Sequence, residues 1–462
     1  MFTSLDFLKV GKKWIPSNSA FAKRQTNFVN GRLLYEGEFE EVFKDVWDKI
    51  STRYGLRYSD AQKVMIKVNL FRVLTDTFKL LAFDKPVEIF PEMDIKQYRE
   101  LVRIMQQSFI SGHCQGNGVF KVYSDSANNY KIGSINPELW IPVYYPDNLA
   151  EVQYHVVANT YEVENDVAKW YGDTVTTSIK YLNVEVHSKG SYERIVFELD
   201  NFNTISEEIS REVVRLDKWS DFAVFPFDYG TPNFRDYGVS AYDDLIPIVE
   251  ELIVRLSNAS KILDDHSDPQ IVAPDGALEF DAITGERQYK RHQVLALTRK
   301  DEPQPQYLTW DGNLDANNAQ IDRVMDLFYM MSGTNPQMFG KDIAGNLSCD
   351  ALAKILLIPL SKIGMMLQNL ENAIEGAYNC WLSLNGKTPE ANIKFNIGAF
   401  NQISDISERV TSEYNAGVIS LERAVLELNP YMDDTEQATE VERIKAGVNV
   451  NSMDSILGRP EV

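Results

Sequence analysis

The chain has 462 residues, of which 44% are hydrophobic and 24% are charged, a balance that excludes a disordered chain. Its length predicts about three domains. It carries 67 acidic and 46 basic side chains, a formal net charge of -21. This charge argues against a protein that grips nucleic acid through clustered lysines and arginines. It is compatible with ordinary solubility, and with a surface past which a polyanion slides without being held.

The cysteines and the apolar runs indicate where such a chain would be made. Cys114, Cys349 and Cys380 are far apart and form no CxxC pair, so we expect neither a disulfide framework nor a zinc site. The first residues lack the apolar run of a signal peptide. The longest uncharged aliphatic run, residues 355–360, is too short to cross a membrane. We therefore expect a soluble protein, made in a cytoplasm.

Helical periodicity dominates the first 110 residues. Apolar side chains recur at helical spacing over residues 38–50, 64–83 and 95–110. These patterns predict three helices.

From residue 111 to about residue 236 the pattern changes to short apolar runs rich in β-forming residues. Such runs lie at residues 154–157, 179–182 and 194–197, with polar turns between them. Asn117-Gly118 is typical of a tight turn. We expect a β-rich lobe over this stretch.

A helical stripe returns near Ser240. Ser240 with Asp243 resembles a capping arrangement, and Pro247 indicates either a kink or a helix that starts near Asp244. Residues 267–315 read as a small insert, with four prolines between strand-like runs. A second helix is predicted from residue 315 to residue 331.

A loop and the longest helical pattern of the chain follow. Gly333 and Pro336 break the preceding helix, and the loop runs to residue 347. Ser348 is a good N-cap for a helix that ends at Asn385-Gly386. Pro359 lies inside this pattern and predicts a bend about one turn before it. A strand over residues 393–397 and two or three short helices complete the chain.

No catalytic motif is visible. The segment from Gly333 to Lys341 fails as a phosphate-binding loop, because six residues separate its glycines and Asp342 replaces the serine or threonine that would hold magnesium. The five histidines lack metal-ligand spacing. We therefore expect no catalytic residue, cofactor or metal.

One acidic turn resembles a calcium-binding loop. Asp311, Asn313 and Asp315 have the spacing of calcium ligands, but Ala316 stands where the sharp turn requires glycine. We favour a polar turn that caps the next helix.

Residues 286–300 are basic in an otherwise acidic chain. The segment contains Arg287, Lys290, Arg291, Arg299 and Lys300. Two interpretations stay open: contact with DNA or an acidic partner, or alternating charges that protect an exposed strand edge.

Six short motifs follow one another in a fixed order. They are Leu34-Tyr35-Glu36-Gly37 with Val68-Asn69-Leu70, Tyr237-Gly238-Val239-Ser240, Ser267-Asp268-Pro269, Gly333-Thr334-Asn335-Pro336, Gly345-Asn346-Leu347-Ser348, and Gly417-Val418-Ile419-Ser420 with Asn429-Pro430 and Asp433-Asp434. In this order they resemble the portal proteins, or head–tail connectors, of tailed bacteriophages, from about Gly31 to about Ile444.

The resemblance implies an α+β portal fold with named parts. These are the N-terminal helical part of the wing (1–110), the β-rich wing (111–236), stem helix one (237–266), a small α/β clip (267–315), stem helix two (316–332), the tunnel loop (333–347), the bent tunnel helix with a wing strand (348–403), and a short helical crown (404–462).

The resemblance also implies a function without catalysis. Portal proteins form a ring, typically of twelve subunits, at one capsid vertex of the virion. Through it the terminase motor packages double-stranded DNA, which is later ejected. The implied partners are further copies of the chain, the terminase large subunit, the major capsid and scaffold proteins, the head–tail adaptor and DNA held without sequence specificity. No membrane is involved.

Site residues follow from the implied parts. In the tunnel loop, Gln337, Met338, Lys341 and Asn346 would face DNA, although Met338 and Phe339 would alternatively tuck the loop into a neighbouring subunit. The five basic residues of the clip would dock the motor or adaptor, and Pro359 would kink the tunnel helix.

Two alternatives to a portal protein stay open. The first is another phage head component, such as a minor capsid or adaptor protein. The second is an intracellular α+β enzyme with a dispersed site, for which Asp264, Asp265, His266 and Asp268 are the best candidates. A polar helix end explains this cluster more simply.

Overall fold

A computed structural model describes residues 2–14, 19–54, 65–125, 127, 129–168, 174–230, 237–267, 271–272, 279–280, 287–288, 306–307, 315–341, 349–396, 403–429 and 434–450. The helices in these ranges are α1 (Ser19–Glu36), α2 (Phe39–Val42), α3 (Lys44–Tyr54), α4 (Leu70–Ala82), α5 (Ile95–Gln115), α6 (Ile246–Ser267), α7 (Asp315–Ser332), α8 (Cys349–Leu384), α9 (Ile403–Asn415), α10 (Leu421–Leu428) and α11 (Asp434–Val450). The strands are β1 (Glu88–Phe90), β2 (Asn117–Ser124), β3 (Tyr130–Ile135), β4 (Trp140–Tyr144), β5 (Val152–Ala168), β6 (Thr174–Ser188), β7 (Ser191–Leu199), β8 (Ile205–Arg215), β9 (Val224–Asp228), β10 (Ile271–Val272), β11 (Glu279–Phe280), β12 (Arg287–Gln288), β13 (Gln306–Tyr307) and β14 (Asn392–Lys394).

The N-terminal helices differ from prediction at their ends. The helix expected over residues 38–50 is interrupted at Phe43, whose backbone leaves helical geometry (φ -102°, ψ 36°) between α2 and α3. The helix expected from residue 64 begins only at Leu70, because the Asn69 side chain accepts a hydrogen bond from the Arg72 amide and caps it. The third helix is confirmed as α5 and continues to Gln115.

Two antiparallel sheets form the β-rich part. One has the strand order β4-β5-β6-β7-β8 and the other β3-β2-β9. The three predicted strand runs lie inside β5, β6 and β7, as expected. The turn expected at Asn117-Gly118 is wrong: both residues lie in β2, and the chain reverses at Gly116, where φ is 91°. The Asn117 amide is used elsewhere, since its oxygen accepts from the Gly238 amide at 2.8 Å.

The two helices expected to form the stem, α6 and α7, pack against each other. Helix α6 begins at Ile246, with Pro247 in its first turn. Amides in the first turn of a helix have no acceptor within the helix, so a proline there loses no hydrogen bond. The helix therefore starts near Asp244, as one of the two interpretations expected, and Pro247 does not interrupt it. The Ser240 cap is wrong for this helix, because α6 begins only at Ile246. The Ser240 hydroxyl accepts from the Tyr242 amide at 3.0 Å and donates to the Cys114 carbonyl at 2.7 Å. In the insert between the stem helices, β10 pairs with β13 and β11 with β12. Apart from Ser267 in α6 and Asp315 in α7, the described insert residues lie in these strands. The α/β clip stays a prediction, because most of the insert lies outside the described residues.

Helix α8 runs from the end of the tunnel loop back into the wing. It packs on β2, β9, α4 and α5, and Pro359 lies inside it. After α8, strand β14 pairs with β1. Strand β14 overlaps the strand expected at residues 393–397. Helices α9, α10 and α11 follow in the segment expected to be the crown, and ion pairs join Arg409 to Glu427 and Lys445 to Glu422. Within the described ranges, no helix is long and apolar enough to cross a membrane.

Candidate functional site at the base of the tunnel loop

Stem helix α7 ends in a tight reversal. Gly333 has a φ of 70°, and the Thr334 amide donates to the Tyr329 carbonyl at 2.9 Å. Glycine is favoured here because other residues are strained at positive φ. A Cβ at this position would also lie only 2.7 Å from Lys362 Nζ. The chain therefore leaves α7 directly against α8.

A short 3-10 turn, Pro336–Phe339, forms the described part of the tunnel loop. Asn335 caps this turn, because its Oδ1 accepts from the Met338 amide at 3.1 Å. The turn ends at Gly340, whose φ is 79° and whose surroundings are open. The Lys341 amide then donates to the Pro336 carbonyl at 3.1 Å. The first half of the loop is thus an ordered turn.

The Asn335 side chain also binds the tunnel helix. Its Nδ2 donates to the Ile355 carbonyl at 2.9 Å. Ile355 lies four residues before Pro359, and proline has no amide hydrogen to give the carbonyl its helical partner. Asn335 supplies the donor that the proline lacks.

Lys362 makes the second link between loop base and tunnel helix. Its Nζ donates to the Ser332 carbonyl at 2.8 Å, at the last residue of α7. A lysine here satisfies a free carbonyl and matches the negative end of the helix dipole. Burial lowers the pKa of Lys362, and the charge of Asp244 partly offsets this. Lys362 and Asp244 line a cavity of about 240 Å³ beneath the loop.

The predicted loop residues occupy different environments. Lys341 is exposed, and we see no ion pair for its ammonium among the described residues. Gln337 is half-buried. Met338 and Phe339 pack against the core of their own chain, with the Phe339 ring 5.8 Å from the Tyr329 ring. Asn346 lies outside the described residues.

Of the predicted clip residues, only Arg287 lies in the described part of the chain. It pairs with Phe280 across β11 and β12. Lys290, Arg291, Arg299 and Lys300 lie outside it.

The carboxylate clusters considered in the sequence give no metal site that the structure can test. The side chains of Asp264, Asp265 and His266, and the whole of Asp268, lie outside the described residues, as do Asp311 and Asn313. Among the side chains that are described, no three histidine, cysteine or acidic residues are grouped to hold a metal ion.

The sequence did not single out Asn335 or Lys362. A signal for Asn335 existed, since any proline inside a helix leaves the carbonyl four residues earlier in need of a donor. Which donor fills that need depends on tertiary contacts.

Comparison with known proteins identifies the class to which this arrangement belongs. The family described as "Phage portal protein, SPP1 Gp6-like" matches residues 26–449. The chain therefore belongs to the phage portal protein family. Among solved structures, a chain of "Neck of native GTA particle computed with C12 symmetry" is 11% identical, with a TM-score of 0.42; the match covers 78% of this chain and 89% of that chain. The search of curated proteins found no match.

Membership of this family answers the question of class. Portal proteins are structural components of the phage virion and not enzymes, so the alternative of an intracellular enzyme is set aside. The mixed helix and sheet architecture agrees with the α+β fold expected from the sequence.

Proposed function

We propose that this chain forms a ring at one vertex of the capsid, through which double-stranded DNA is packaged and later ejected. The observation that carries the proposal is the family match over residues 26–449. Twelve subunits remain the expectation taken from the sequence resemblance.

The stem supplies physical support for a ring. Met330 and Met331, at the end of α7, and Leu357, Ile358 and Met365, on α8, are large apolar side chains exposed in the single chain. Met330 is 66% exposed and so is Met365. Apolar patches of this kind mark interfaces, and a closed ring would cover each patch with the neighbouring subunit.

The tunnel loop is the part that we assign to the channel. Lys341 is exposed at the end of the ordered turn, where its ammonium would contact phosphate oxygens and read no bases. Gln337 and Asn346 complete the proposed DNA-facing set, and Met338, which packs on the core of its own chain, would support the loop from beneath. Because the chain carries a net charge of -21, the rest of the channel would hold DNA weakly and let it slide.

The clip is the part that we assign to docking. Arg287 and the basic residues Lys290, Arg291, Arg299 and Lys300 would bind acidic surfaces on the terminase large subunit and, after packaging, on the head–tail adaptor. Capsid and scaffold proteins would contact the wing and crown. The support is the charge of residues 286–300 within an acidic chain.

The test is imaging of the purified full chain by electron microscopy, together with its native mass. We expect rings with a central hole. Met330→Glu should prevent ring formation, because it places a charge in the proposed interface, whereas Phe202→Glu, at an exposed turn between β7 and β8, should leave rings intact. A chain that stays monomeric at all assembly concentrations, with and without scaffold protein, would contradict the proposal.

A further inference from the structure

We infer that Asn335 and Lys362 are positioning residues that fix the base of the tunnel loop to the tunnel helix on either side of Pro359. That this loop faces DNA rests on the proposed function. The hydrogen bonds of Asn335 and Lys362 are observed independently of that function.

The first step concerns the carbonyl that Pro359 leaves free. Ile355 is half-buried, so its carbonyl is not fully open to water. A carbonyl without a donor in such a place costs free energy, and Asn335 Nδ2 removes that cost. Pro359 therefore leaves the Ile355 carbonyl without its helical donor, and Asn335 of the loop supplies that donor.

The second step concerns the other side of the bend. Lys362 follows Pro359 by less than one turn and binds the Ser332 carbonyl, so α7 is held where it ends. The junction between α7 and the loop is thus hydrogen-bonded to α8 before Pro359, at Ile355, and after it, at Lys362. A change in the direction of α8 at Pro359 must therefore move this junction as well.

The third step locates the point at which the loop is free to turn. Up to Phe339 the loop is anchored, by Asn335 and by the packing of Met338 and Phe339 on the core. Beyond Gly340, which has a positive φ and room for a side chain, the Lys341 amide bonds the Pro336 carbonyl at 3.1 Å. A displacement of Lys341 that breaks this bond would be taken up first by rotation at Gly340, and only a larger displacement would reach Asn335 and α8.

The experiment is a double-mutant cycle on the full chain, read by hydrogen exchange of the Met338, Gly340 and Lys341 amides. Asn335→Asp keeps the oxygen that caps the turn and removes the donor to Ile355. Pro359→Ala restores an amide that gives the Ile355 carbonyl its own helical partner. In the native background, Asn335→Asp should speed exchange about tenfold, as expected for loss of one hydrogen bond. In the Pro359→Ala background the same change should speed it by about twofold or less.

Two results of this cycle would overturn the role of Asn335. An equal effect in both backgrounds would show that Asn335 does not act through the Ile355 carbonyl. No effect in either background would show that the hydrogen bond does not hold the loop. Thermal unfolding of each variant checks that the fold is retained.

Lys362 has a matched pair of variants. Lys362→Met keeps the apolar stem and removes the donor, so exchange of the Gly333 and Thr334 amides should rise several-fold. Lys362→Arg keeps a cation and should restore most of the protection. If Lys362→Met leaves these amides as protected as in the native chain, the role of Lys362 is refuted.

The outcome is independent of the proposed function, because exchange is measured without DNA. If the cycle shows coupling but the chain forms no ring, the role of Asn335 stands and the proposed function is contradicted. If the chain forms rings but the cycle shows no coupling, the proposed function stands and the role of Asn335 is contradicted.

Discussion

Lys121 on β2 and Glu185 on β6 form a partly buried ion pair, with Nζ and Oε2 2.7 Å apart, that joins the two antiparallel sheets. Glu185 also contacts His187, whose Nε2 lies 3.2 Å from the same oxygen. Burial by itself would raise the pKa of the Glu185 carboxyl, but the hydrogen bond from His187 and the charge of Lys121 outweigh burial and lower it to about 2. Glu185 therefore stays ionised between the sheets.

Removal of Lys121 should destabilise the wing strongly. Lys121→Met removes the nearer of two cations from the Glu185 carboxylate, because Arg194 Nε lies 3.6 Å from its other oxygen and remains. We expect the free energy of unfolding to fall by about 2–3 kcal/mol in urea titrations. The matched control is Lys189→Met, which breaks an exposed pair with Glu151. It should cost less than about 1 kcal/mol. Similar losses for the two variants would mean that the Lys121 pair does not join the sheets.

Stability should fall in weak acid because of buried histidines. Burial lowers the pKa of His113 and of His155 to about 3, so both stay neutral in the folded chain. In the unfolded chain they take up a proton near pH 6.5, so the folded state loses stability as the pH falls from there towards 3. The expected loss is about 2 kcal/mol per histidine between pH 6.5 and 5.

Urea titrations at pH 7 and pH 5, at one protein concentration, measure this dependence. Burial lowers the pKa of His187 as well, which acts in the same direction. The Glu185 carboxyl adds to this loss of stability only below pH 4.5, the ordinary pKa of a glutamate, because its pKa is lowered in the folded chain. His155→Gln cannot take up the proton, so this variant should lose one histidine's share of the slope. An unchanged slope in His155→Gln would exclude His155 as a source.

Gly333 and Gly340 should differ in their tolerance of alanine. Both have positive φ, so alanine should cost about 1–2 kcal/mol at either position. At Gly333 the added Cβ also displaces the Lys362 ammonium, which loses its bond to Ser332. We expect Gly333→Ala to cost at least about 1.5 kcal/mol more than Gly340→Ala in thermal unfolding. Equal costs would mean that Lys362 does not hold this junction.

Lys341 should affect DNA and not assembly. Lys341→Ala removes an exposed cation from the loop, so an in vitro packaging assay should show a several-fold loss that is the same for DNA of any sequence. Electron microscopy should show unchanged rings. Loss of rings would place the loop in the subunit interface instead of the channel.

Long periodic elements were predictable from the sequence, and their ends were not. The apolar stripes of α5, α7 and α8 identified these helices, because burial on one face imposes the 3.6-residue period. Single polar residues misled where a distant partner took them. Ser240 has the chemistry of a cap, yet it lies ahead of α6 and links the Tyr242 amide to the distant Cys114 carbonyl. Asn117 has the chemistry of a turn residue, yet it binds Gly238.

The loop base shows the same division. Pro359 and the breaking glycine at position 333 were visible in the sequence, and they located a proline inside α8 and the end of α7. The hydrogen bonds from Asn335 and Lys362 were not visible, because each joins residues 20 or 30 positions apart and depends on how α7 docks on α8. Periodicity in a sequence indicates which face of a helix is buried, whereas these hydrogen bonds depend on how two helices lie relative to each other.

The pairing of β1 with β14 sets a condition on the newly made chain. Asn396 donates to Glu88 across 308 residues, and the Phe83 and Phe395 rings meet 5.3 Å apart. At ordinary rates of protein synthesis, residue 88 leaves the ribosome roughly 15–60 s before residue 396 exists to meet it. During that interval the surface around Phe83 is exposed, so the nascent chain should bind chaperones until its last quarter is made.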